Sequence, residues 1–524
     1  MDAPYPPARQ AGSSKPKAVL RRTSNPGTVP PQPASLRLGG APHDAGALRA
    51  LLKGLATASL APPDETAPSL HAHATKLGLG RRHRGVRDAL VALYLACGRR
   101  DAAHNLFAGE PVPDVVSWTA MLTCHARLGL FREAAALFLA MADDASVVVD
   151  AVAAAAAFTA CAGAGDLALA RDVHRRVLVA GVTPDVVACN ALVDMYAKCG
   201  DAAAALGCFR AMAPAKNVMT WNTMISAHAR AGEPREALAL FREMLVEQGQ
   251  GARPDDATFV AVLGACARLG ALDAGMWAHA YYLSRRTVKN AAAADGIVGN
   301  ALIDMYAKCG AVEQAAEVFG AMARRDVFTY TSMISGLAAH GRGEDALALF
   351  ADMRRAGVKP NNVTFLGVLS ACCHAGFVED GLRHFDAMAE VHGVAPGVAH
   401  YGCVVDMLGR AGRLDEAEEL VAAMPVRPDA PIWGSLLSAC RAHGHVDRAE
   451  RVMRRMANYE EAEAGDYVLM SNMYAREGRH GEAVRVRREM RRSKVDKVPG
   501  CSIIEIDGVV HEFHAVPANS VELL

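Results

Sequence analysis

The chain has 524 residues, of which 52% are hydrophobic and 21% charged, and its 56 Lys and Arg residues balance its 56 Asp and Glu residues. The length excludes a single compact domain, the composition excludes a disordered chain, and the zero net charge excludes a nonspecific polycation that coats phosphate. The odd number of cysteines, 13, indicates free thiols in a reducing compartment.

The N-terminal segment, residues 1–47, is rich in proline and basic residues. Its first 40 residues contain six Lys and Arg residues and one acid, Asp2. This composition is typical of an organellar transit peptide, and a disordered proline-rich leader without a targeting role is the alternative. We therefore predict a transit peptide and disordered leader over 1–47, and a location in the mitochondrion or chloroplast, with a preference for the mitochondrion.

From residue 48 onward the sequence repeats itself. The string NALVDMYAKCG at 190–200 returns almost unchanged at 300–310, and weaker copies start at Asp88 and Gly402. The offsets between the four starts are 102, 110 and 102 residues. A string that begins with Trp118, and another that contains Cys161, return between these copies in a constant order. Three related units therefore alternate along the chain.

One glycine recurs in every unit, at intervals of 31 to 40 residues. These glycines are Gly98, Gly129, Gly165, Gly200, Gly232, Gly270, Gly310, Gly341, Gly376, Gly412, Gly444 and Gly478. Each follows one apolar-periodic run and precedes another, where a left-handed glycine ends a helix and lets the chain reverse. Each unit is therefore predicted to be a helix–turn–helix hairpin that buries its apolar face by stacking on its neighbours. The alanine-rich run from Ala151 to Gly165 is too short to span a bilayer and predicts a buried helix.

Cysteines and histidines recur at fixed repeat positions. The equivalent sets are Cys97, Cys199 and Cys309; Cys161, Cys266, Cys372 and Cys440; and His71, His174 and His279. Small side chains that recur once per repeat favour buried packing sites over disulfides or metal ligands. The histidines are likewise predicted to be packing and turn partners rather than acid–base groups.

No catalytic motif occurs in the sequence. It has no Cys-x-x-Cys of a zinc deaminase, and His511-Glu-Phe-His514 lacks the spacing that a zincin helix needs. We therefore predict that the chain is not an enzyme and has no cofactor, catalytic residue, metal site, membrane partner or small-molecule substrate. The tail, 498–524, alternates apolar and polar residues around Asp507-Gly508, which predicts a short C-terminal β-hairpin.

The alternating strings NALxDMYAKCG, SWxxMIxxxxxxG and LxACxxxG resemble the plant pentatricopeptide repeat proteins of the PLS class, E subgroup. The resemblance implies an all-α, right-handed superhelical solenoid of helix-turn-helix repeats, with about 11 repeats over 48–429 and two degenerate E-type repeats over 430–497. The regular units are 48–83, 84–114, 115–150, 151–185, 186–217, 218–255, 256–295, 296–326, 327–361, 362–397 and 398–429. Such repeats bind single-stranded RNA, one base per repeat.

Two positions in each unit are expected to contact a base edge. The fifth residues in question are Thr119, Asn190, Asn222, Asn300 and Thr331, and the last residues of the same units are Asp150, Asn217, Asp255, Asp326 and Asn361. An exposed polar residue is the alternative at the fifth position, whereas a helix N-cap is compatible with base contact at the last. The second residues are apolar and suit either stacking on base faces or burial in the core; they are Val116, Val187, Met219, Ile297 and Phe328.

The resemblance also implies a code and a function. Thr with Asp recognises G, Thr with Asn recognises A, Asn with Asp recognises U, and Asn with Asn recognises a pyrimidine, in 5′ to 3′ order along the repeats. The implied function is site recognition for C-to-U RNA editing of organellar transcripts. Its partners would be a separate cytidine deaminase and multiple organellar RNA editing factors, and unit 398–429 would lie opposite the fourth base before the edited cytidine. The alternatives are organellar RNA stabilisation, splicing or translation, and a protein-binding helical scaffold.

Overall fold

The computed structural model describes residues 44–56, 66–109, 113–212, 216–247, 253–285, 296–458, 463–492, 501–506 and 509–514. Residues 1–43 of the predicted leader and the predicted turn Asp507-Gly508 lie outside these ranges. The chain divides into two compact units, Met1–Pro111 and Val112–Leu524. Apart from two short strands, the described residues form helices joined by turns and short loops.

The first unit contains α1 (Ala45–Ala56), α2 (Thr66–Lys76), α3 (Leu79–Arg82), α4 (Arg84–Ala96) and α5 (Arg100–Ala108). Helix α4 packs against both α1 and α5. Leu48 and Leu52 of α1 and Leu90 and Leu93 of α4 are all completely buried, since they lie on the apolar faces that these helices turn inward.

The second unit is a row of helical hairpins. In chain order the pairs are α6 (Val115–Arg127) with α7 (Phe131–Asp143), α8 (Ala151–Ala164) with α9 (Leu167–Val179), α10 (Val186–Lys198) with α11 (Ala202–Ala211), α12 (Val218–Arg230) with α13 (Pro234–Val246), α14 (Asp256–Leu269) with α15 (Leu272–Ser284), α16 (Ile297–Lys308) with α17 (Val312–Ala321), α18 (Val327–Ala339) with α19 (Gly343–Arg355), α20 (Asn362–Ala375) with α21 (Val378–Glu390), α22 (Val398–Arg410) with α23 (Leu414–Ala423), α24 (Ala430–Ala442) with α25 (Val446–Asn458), and α26 (Ala464–Arg476) with α27 (His480–Arg492). The first helix of each hairpin packs against the first helix of the next. Strand β1 (Cys501–Ile506) pairs antiparallel with β2 (Val509–His514).

The predicted glycine turns are confirmed. All twelve glycines have a positive φ, between 63° and 84°. Gly165 illustrates the geometry: it caps α8 in the left-handed conformation, and its N–H donates to the Cys161 carbonyl 3.1 Å away. A residue with a Cβ would be strained in this conformation, so glycine is the residue that allows so short a connection between two helices.

Small residues let the first helices of neighbouring hairpins approach closely. A Cβ added at Gly336 in α18 would lie 2.7 Å from the Ala307 Cβ in α16, and one at Gly409 in α22 would lie 2.7 Å from the Ala439 Cβ in α24. The predicted burial of the alanine-rich run is confirmed too, because α8 contributes Ala153, Ala154, Ala157, Ala160 and other residues to the core. The alanine-rich composition therefore follows from tight helix packing.

The repeated cysteines and histidines are packing residues. Burial raises the pKa of Cys161 to about 12 and that of Cys372 to about 11, so both stay protonated. Cys97, Cys199 and Cys309 are half-buried rather than buried, because each is the C-cap that follows the last turn of its helix. The Nδ1 atoms of His71, His174 and His279 lie 2.9, 2.7 and 2.9 Å from tyrosine hydroxyls, and burial lowers the pKa of each histidine.

Candidate nucleic-acid interface

The fifth residues lie on the first helix of each hairpin, partly sheltered from solvent. Asn190 and Thr331 are each 8% exposed, and Thr119, Asn222 and Asn300 are half-buried. A polar side chain that faced only solvent would be more exposed than this. The structure therefore does not support the alternative of a plain surface residue, because polar side chains that are partly buried are normally hydrogen-bonded within the protein.

The last residues cap the helices that follow them. The Oδ1 atoms of Asp150, Asn217, Asp255, Asp326 and Asn361 accept from backbone N–H groups three residues further on, at 2.8 to 3.0 Å. The predicted N-cap role is confirmed. Capping uses one terminal atom of each side chain. The second, Oδ2 of an aspartate or Nδ2 of an asparagine, is not needed by the cap.

In three units the structure brings the fifth and the last side chain into contact. Asn222 Nδ2 donates to Asp255 Oδ1 at 2.9 Å, although 33 residues separate the two in the sequence. The corresponding distances are 3.4 Å from Asn190 Nδ2 to Asn217 Oδ1 and 3.5 Å from Asn300 Nδ2 to Asp326 Oδ1. Because each hairpin ends beside the place where it began, the two predicted positions form one polar pair.

The two units with threonine at the fifth position differ from these. Thr331 is linked to Asn361 through Thr364. The hydroxyl oxygens of Thr331 and Thr364 lie 2.7 Å apart, and the hydroxyl oxygen of Thr364 lies 3.0 Å from Asn361 Oδ1. Thr119 instead donates to the carbonyl of Val115 at 2.7 Å, one turn back in its own helix. The structure thus shows no hydrogen bond between Thr119 and the last residue of its unit, Asp150.

Two of the capping carboxylates are held in the ionised form. Burial disfavours the charge of Asp255, but hydrogen bonds from the backbone N–H of Thr258 and from the amide of Asn222 outweigh it and lower the pKa. The same balance lowers the pKa of Asp326, where the donors are Thr329 and Asn300. At neutral pH both side chains can therefore accept hydrogen bonds but cannot donate them.

The apolar second residues are exposed, so the alternative of core burial is wrong for them. The exposed fractions are 60% for Val116, 66% for Val187, 65% for Met219, 61% for Ile297 and 64% for Phe328. An exposed apolar side chain that recurs in the same place on several hairpins indicates a contact surface rather than chance.

Threonines at the third position of four units also belong to the site, and sequence reasoning missed them. They are Thr220, Thr258, Thr329 and Thr364, all at most 1% exposed. The hydroxyl of each lies close to the fifth residue of the preceding unit, at 2.6, 2.6, 2.8 and 2.7 Å. The signal that could have found them is the spacing Asx-x-x-Thr, which is typical of a reciprocal cap at a helix start.

The described part of the chain shows neither a cluster of metal ligands nor a helix that could span a membrane. Its His, Cys, Asp and Glu side chains include no group of three or more that could hold a metal ion. No helix in the same ranges combines the length and apolar character that crossing a membrane requires.

Stacked helical hairpins that each present a polar pair and an exposed apolar side chain define a repeat protein with a regular contact surface. Matches to known family models and relatives show that the chain belongs to the pentatricopeptide repeat family. The PPR repeat model matches residues 116–144, 187–213, 300–327 and 399–427, and the PPR repeat family model matches 216–268 and 325–374. The pentatricopeptide repeat domain matches 350–411, and the E motif matches 443–505.

Relatives from Arabidopsis thaliana support the assignment. A putative pentatricopeptide repeat-containing protein is 39% identical over 474 residues, which cover 85% of this chain and 68% of the relative. A mitochondrial one is 36% identical over 456 residues, covering 82% and 66%. A chloroplastic one is 36% identical over 428 residues, covering 82% and 52%. These names agree with the predicted organellar location.

A solved structure supports the fold. The pentatricopeptide repeat protein PPR10, crystallised in complex with an 18-nt psaJ RNA element, superposes with a TM-score of 0.60 at 19% sequence identity. The match covers 85% of this chain and 71% of PPR10. The likeness therefore identifies an all-helical pentatricopeptide repeat solenoid as the fold.

Proposed function

We propose that the protein binds single-stranded organellar RNA in a sequence-specific manner, one base per repeat. The observation that carries the proposal is the polar pair of Asn222 and Asp255, repeated at Asn190 with Asn217 and at Asn300 with Asp326. Each pair offers an amide donor and a cap residue whose second terminal atom the cap leaves unused, a combination that suits the Watson–Crick edge of an unpaired base.

The exposed second residues complete the proposed base site. Val187, Met219, Ile297 and Phe328 would pack against base faces on either side of a polar pair, in the place that aromatic side chains take in other proteins that bind single strands. PPR10, which shares the fold, was crystallised in complex with an RNA element, and this supports RNA as the ligand. The zero net charge favours binding through such specific contacts over a general attraction to phosphate.

We further propose that the chain is a PLS-class protein of the E subgroup and recognises sites of C-to-U editing, with a deaminase supplied by another protein. The E motif at 443–505, which overlaps the two degenerate units predicted over 430–497, supports this assignment. In the proposed organisation, 1–47 is the transit peptide and leader, 48–429 is the regular repeat array and 498–524 is the tail. Multiple organellar RNA editing factors would be additional partners.

Sequencing organellar cDNA from plants that lack the protein tests the editing role. We expect one or a few cytidines to remain unconverted, each preceded by bases that match the predicted register, while other edited sites keep their normal extent of conversion. Complementation with the intact gene must restore conversion. Normal editing at every site, combined with loss or altered processing of one transcript, would contradict the editing role and favour RNA stabilisation or splicing.

The purified protein alone should not deaminate cytidine. The sequence contains no Cys-x-x-Cys, so it does not provide the zinc ligands that activate water in the known deaminases. We expect no uridine after incubation with the target RNA, and conversion only when a separate deaminase is added. Conversion by highly pure protein that stops on addition of a chelator would refute this prediction.

A further inference from the structure

The third-position threonines connect consecutive hairpins at the proposed base site. Thr258 lies in the first turn of α14, directly after the pair Asn222 and Asp255, and its side chain is completely buried. Its hydroxyl oxygen lies 2.6 Å from Asn222 Oδ1 and 3.0 Å from Asp255 Oδ1, and it accepts from the Asp255 N–H at 3.1 Å. One hydroxyl therefore contacts both members of the polar pair of the preceding unit.

Hydrogen-bond accounting fixes the orientation of the Asn222 amide. The carboxylate of Asp255 can only accept, so the Asn222 atom 2.9 Å from it must be the nitrogen. The amide oxygen then faces Thr258, whose single proton it accepts. The opposite orientation would place two acceptor oxygens 2.9 Å apart and is disfavoured.

The same arrangement recurs in two other units. Thr220 Oγ1 lies 2.6 Å from Asn190 Oδ1, and Thr329 Oγ1 lies 2.8 Å from Asn300 Oδ1. In each case the Asn amide nitrogen is directed at the last residue of its own unit. The amide oxygen is thus occupied by a threonine every time, and the second N–H of the amide is the group left for a ligand.

We propose that the third-position threonines are positioning residues that set base specificity in the preceding unit. By accepting the threonine proton, the asparagine presents an N–H donor, and not its carbonyl, to the base. A donor matches the carbonyl oxygens of uracil and cytosine, so in units with asparagine at the fifth position the threonine supports the pyrimidine preference expected there without touching the base. This inference rests on the proposed RNA-binding function and extends it to residues outside the fifth and last positions.

The chain contains a natural contrast in which the threonine is missing. The residue equivalent to Thr258 after Asp150 is Ala153, whose backbone N–H still donates to Asp150 Oδ1 at 2.8 Å. The side chain of Asp150 therefore still caps its helix without a hydroxyl at the third position. However, Thr119 of that unit turns to the Val115 carbonyl instead of the polar pair. Capping and positioning are separable, and only positioning needs the third-position hydroxyl.

The test compares Thr258→Val with Thr258→Ser in the full chain. Valine keeps the shape of the buried side chain without the hydroxyl, whereas serine keeps the hydroxyl. The probes are synthetic RNAs that match the predicted register and differ only at the ninth base before the cytidine, where unit 218–255 should select U. We expect Thr258→Val to reduce the preference for U by about threefold to tenfold, the worth of one hydrogen bond, and Thr258→Ser to retain it.

Two controls separate positioning from general damage. Preference at the tenth base, served by Asn190 and Thr220, should not change in Thr258→Val, and the melting temperature reports any loss of folding. Ala153→Thr gives the opposite change: it supplies the missing hydroxyl, which can draw Thr119 from the Val115 carbonyl towards Asp150, as Thr364 contacts Thr331. Better positioning of Thr119 should increase the preference for G at the twelfth base. If Thr258→Val does not fold, the Ala153→Thr variant still tests the inference.

The outcomes distinguish the inference from the proposed function. If the unmodified protein shows no base preference, the proposed function fails and the inference with it. If the unmodified protein prefers U but Thr258→Val keeps that preference, or weakens every RNA equally, only the inference is overturned. Failure of Ala153→Thr to sharpen selection at the twelfth base also counts against it.

Discussion

Purified protein is expected to bind a matched single-stranded RNA at least about 100-fold more tightly than the same sequence in a perfect duplex. The polar pairs contact Watson–Crick edges in the proposed mode, and a duplex hides those edges. Opening a DNA duplex costs about 1.4 kcal/mol per base-pair step, and a similar cost for RNA makes two opened steps worth about 100-fold in Kd. Titrations of a labelled oligonucleotide, alone and annealed to its complement, measure the difference.

The control for this measurement is a variant that loses the amide donors but keeps the caps. Asn190→Ala, Asn222→Ala and Asn300→Ala combined leave the capping residues Asn217, Asp255 and Asp326 in place. We expect this variant to bind the single strand much more weakly while its helix content is retained. Equal binding of single strand and duplex by the unmodified protein would contradict the proposed mode and favour a protein-binding scaffold.

Local chemistry explains why much of the fold could be predicted from the sequence. A glycine that must adopt a positive φ and an Asx that caps the next helix act within a few residues. Gly165 and Asp255 therefore behave as predicted. The repeat period adds the pairing of the fifth and last positions, since a hairpin returns the chain to its starting point. Asn222 and Asp255 meet for this reason.

Contacts between hairpins could not be predicted in the same way. The position of Thr258 is 36 residues beyond Asn222, and only the stacking distance between two hairpins places its hydroxyl 2.6 Å from the amide oxygen. Thr119 shows a second reason. Its short side chain can donate a hydrogen bond either to the backbone of its own helix or to a neighbouring residue, and in the structure it donates to its own helix. Both outcomes depend on distances of a few tenths of an ångström that no residue pattern specifies.

Asn361→Asp should change the preferred base at the sixth position from A to G. Asn361 Oδ1 accepts from the N–H and the hydroxyl of Thr364 at 2.9 and 3.0 Å, and an aspartate oxygen can do the same. The substitution therefore keeps the helix cap and changes only the second terminal atom, from an N–H donor to an acceptor oxygen. Adenine offers an acceptor, N1, where guanine offers an N–H donor.

The expected size of this change is about 1–3 kcal/mol for each base, or roughly fivefold to 150-fold in Kd, if base-edge discrimination here resembles that of other nucleic-acid readers. Titration of RNAs with A or G at the sixth base measures it, with RNAs varied at the tenth base as the control, because Asn190 and Asn217 are unchanged there. An unchanged melting temperature shows that the cap is intact. If affinity instead falls equally for all RNAs, Asn361 acts only as a cap; if the change appears at another base, the hairpins are offset from the proposed register. A reversal confined to the sixth base would establish that one atom of Asn361 selects the base.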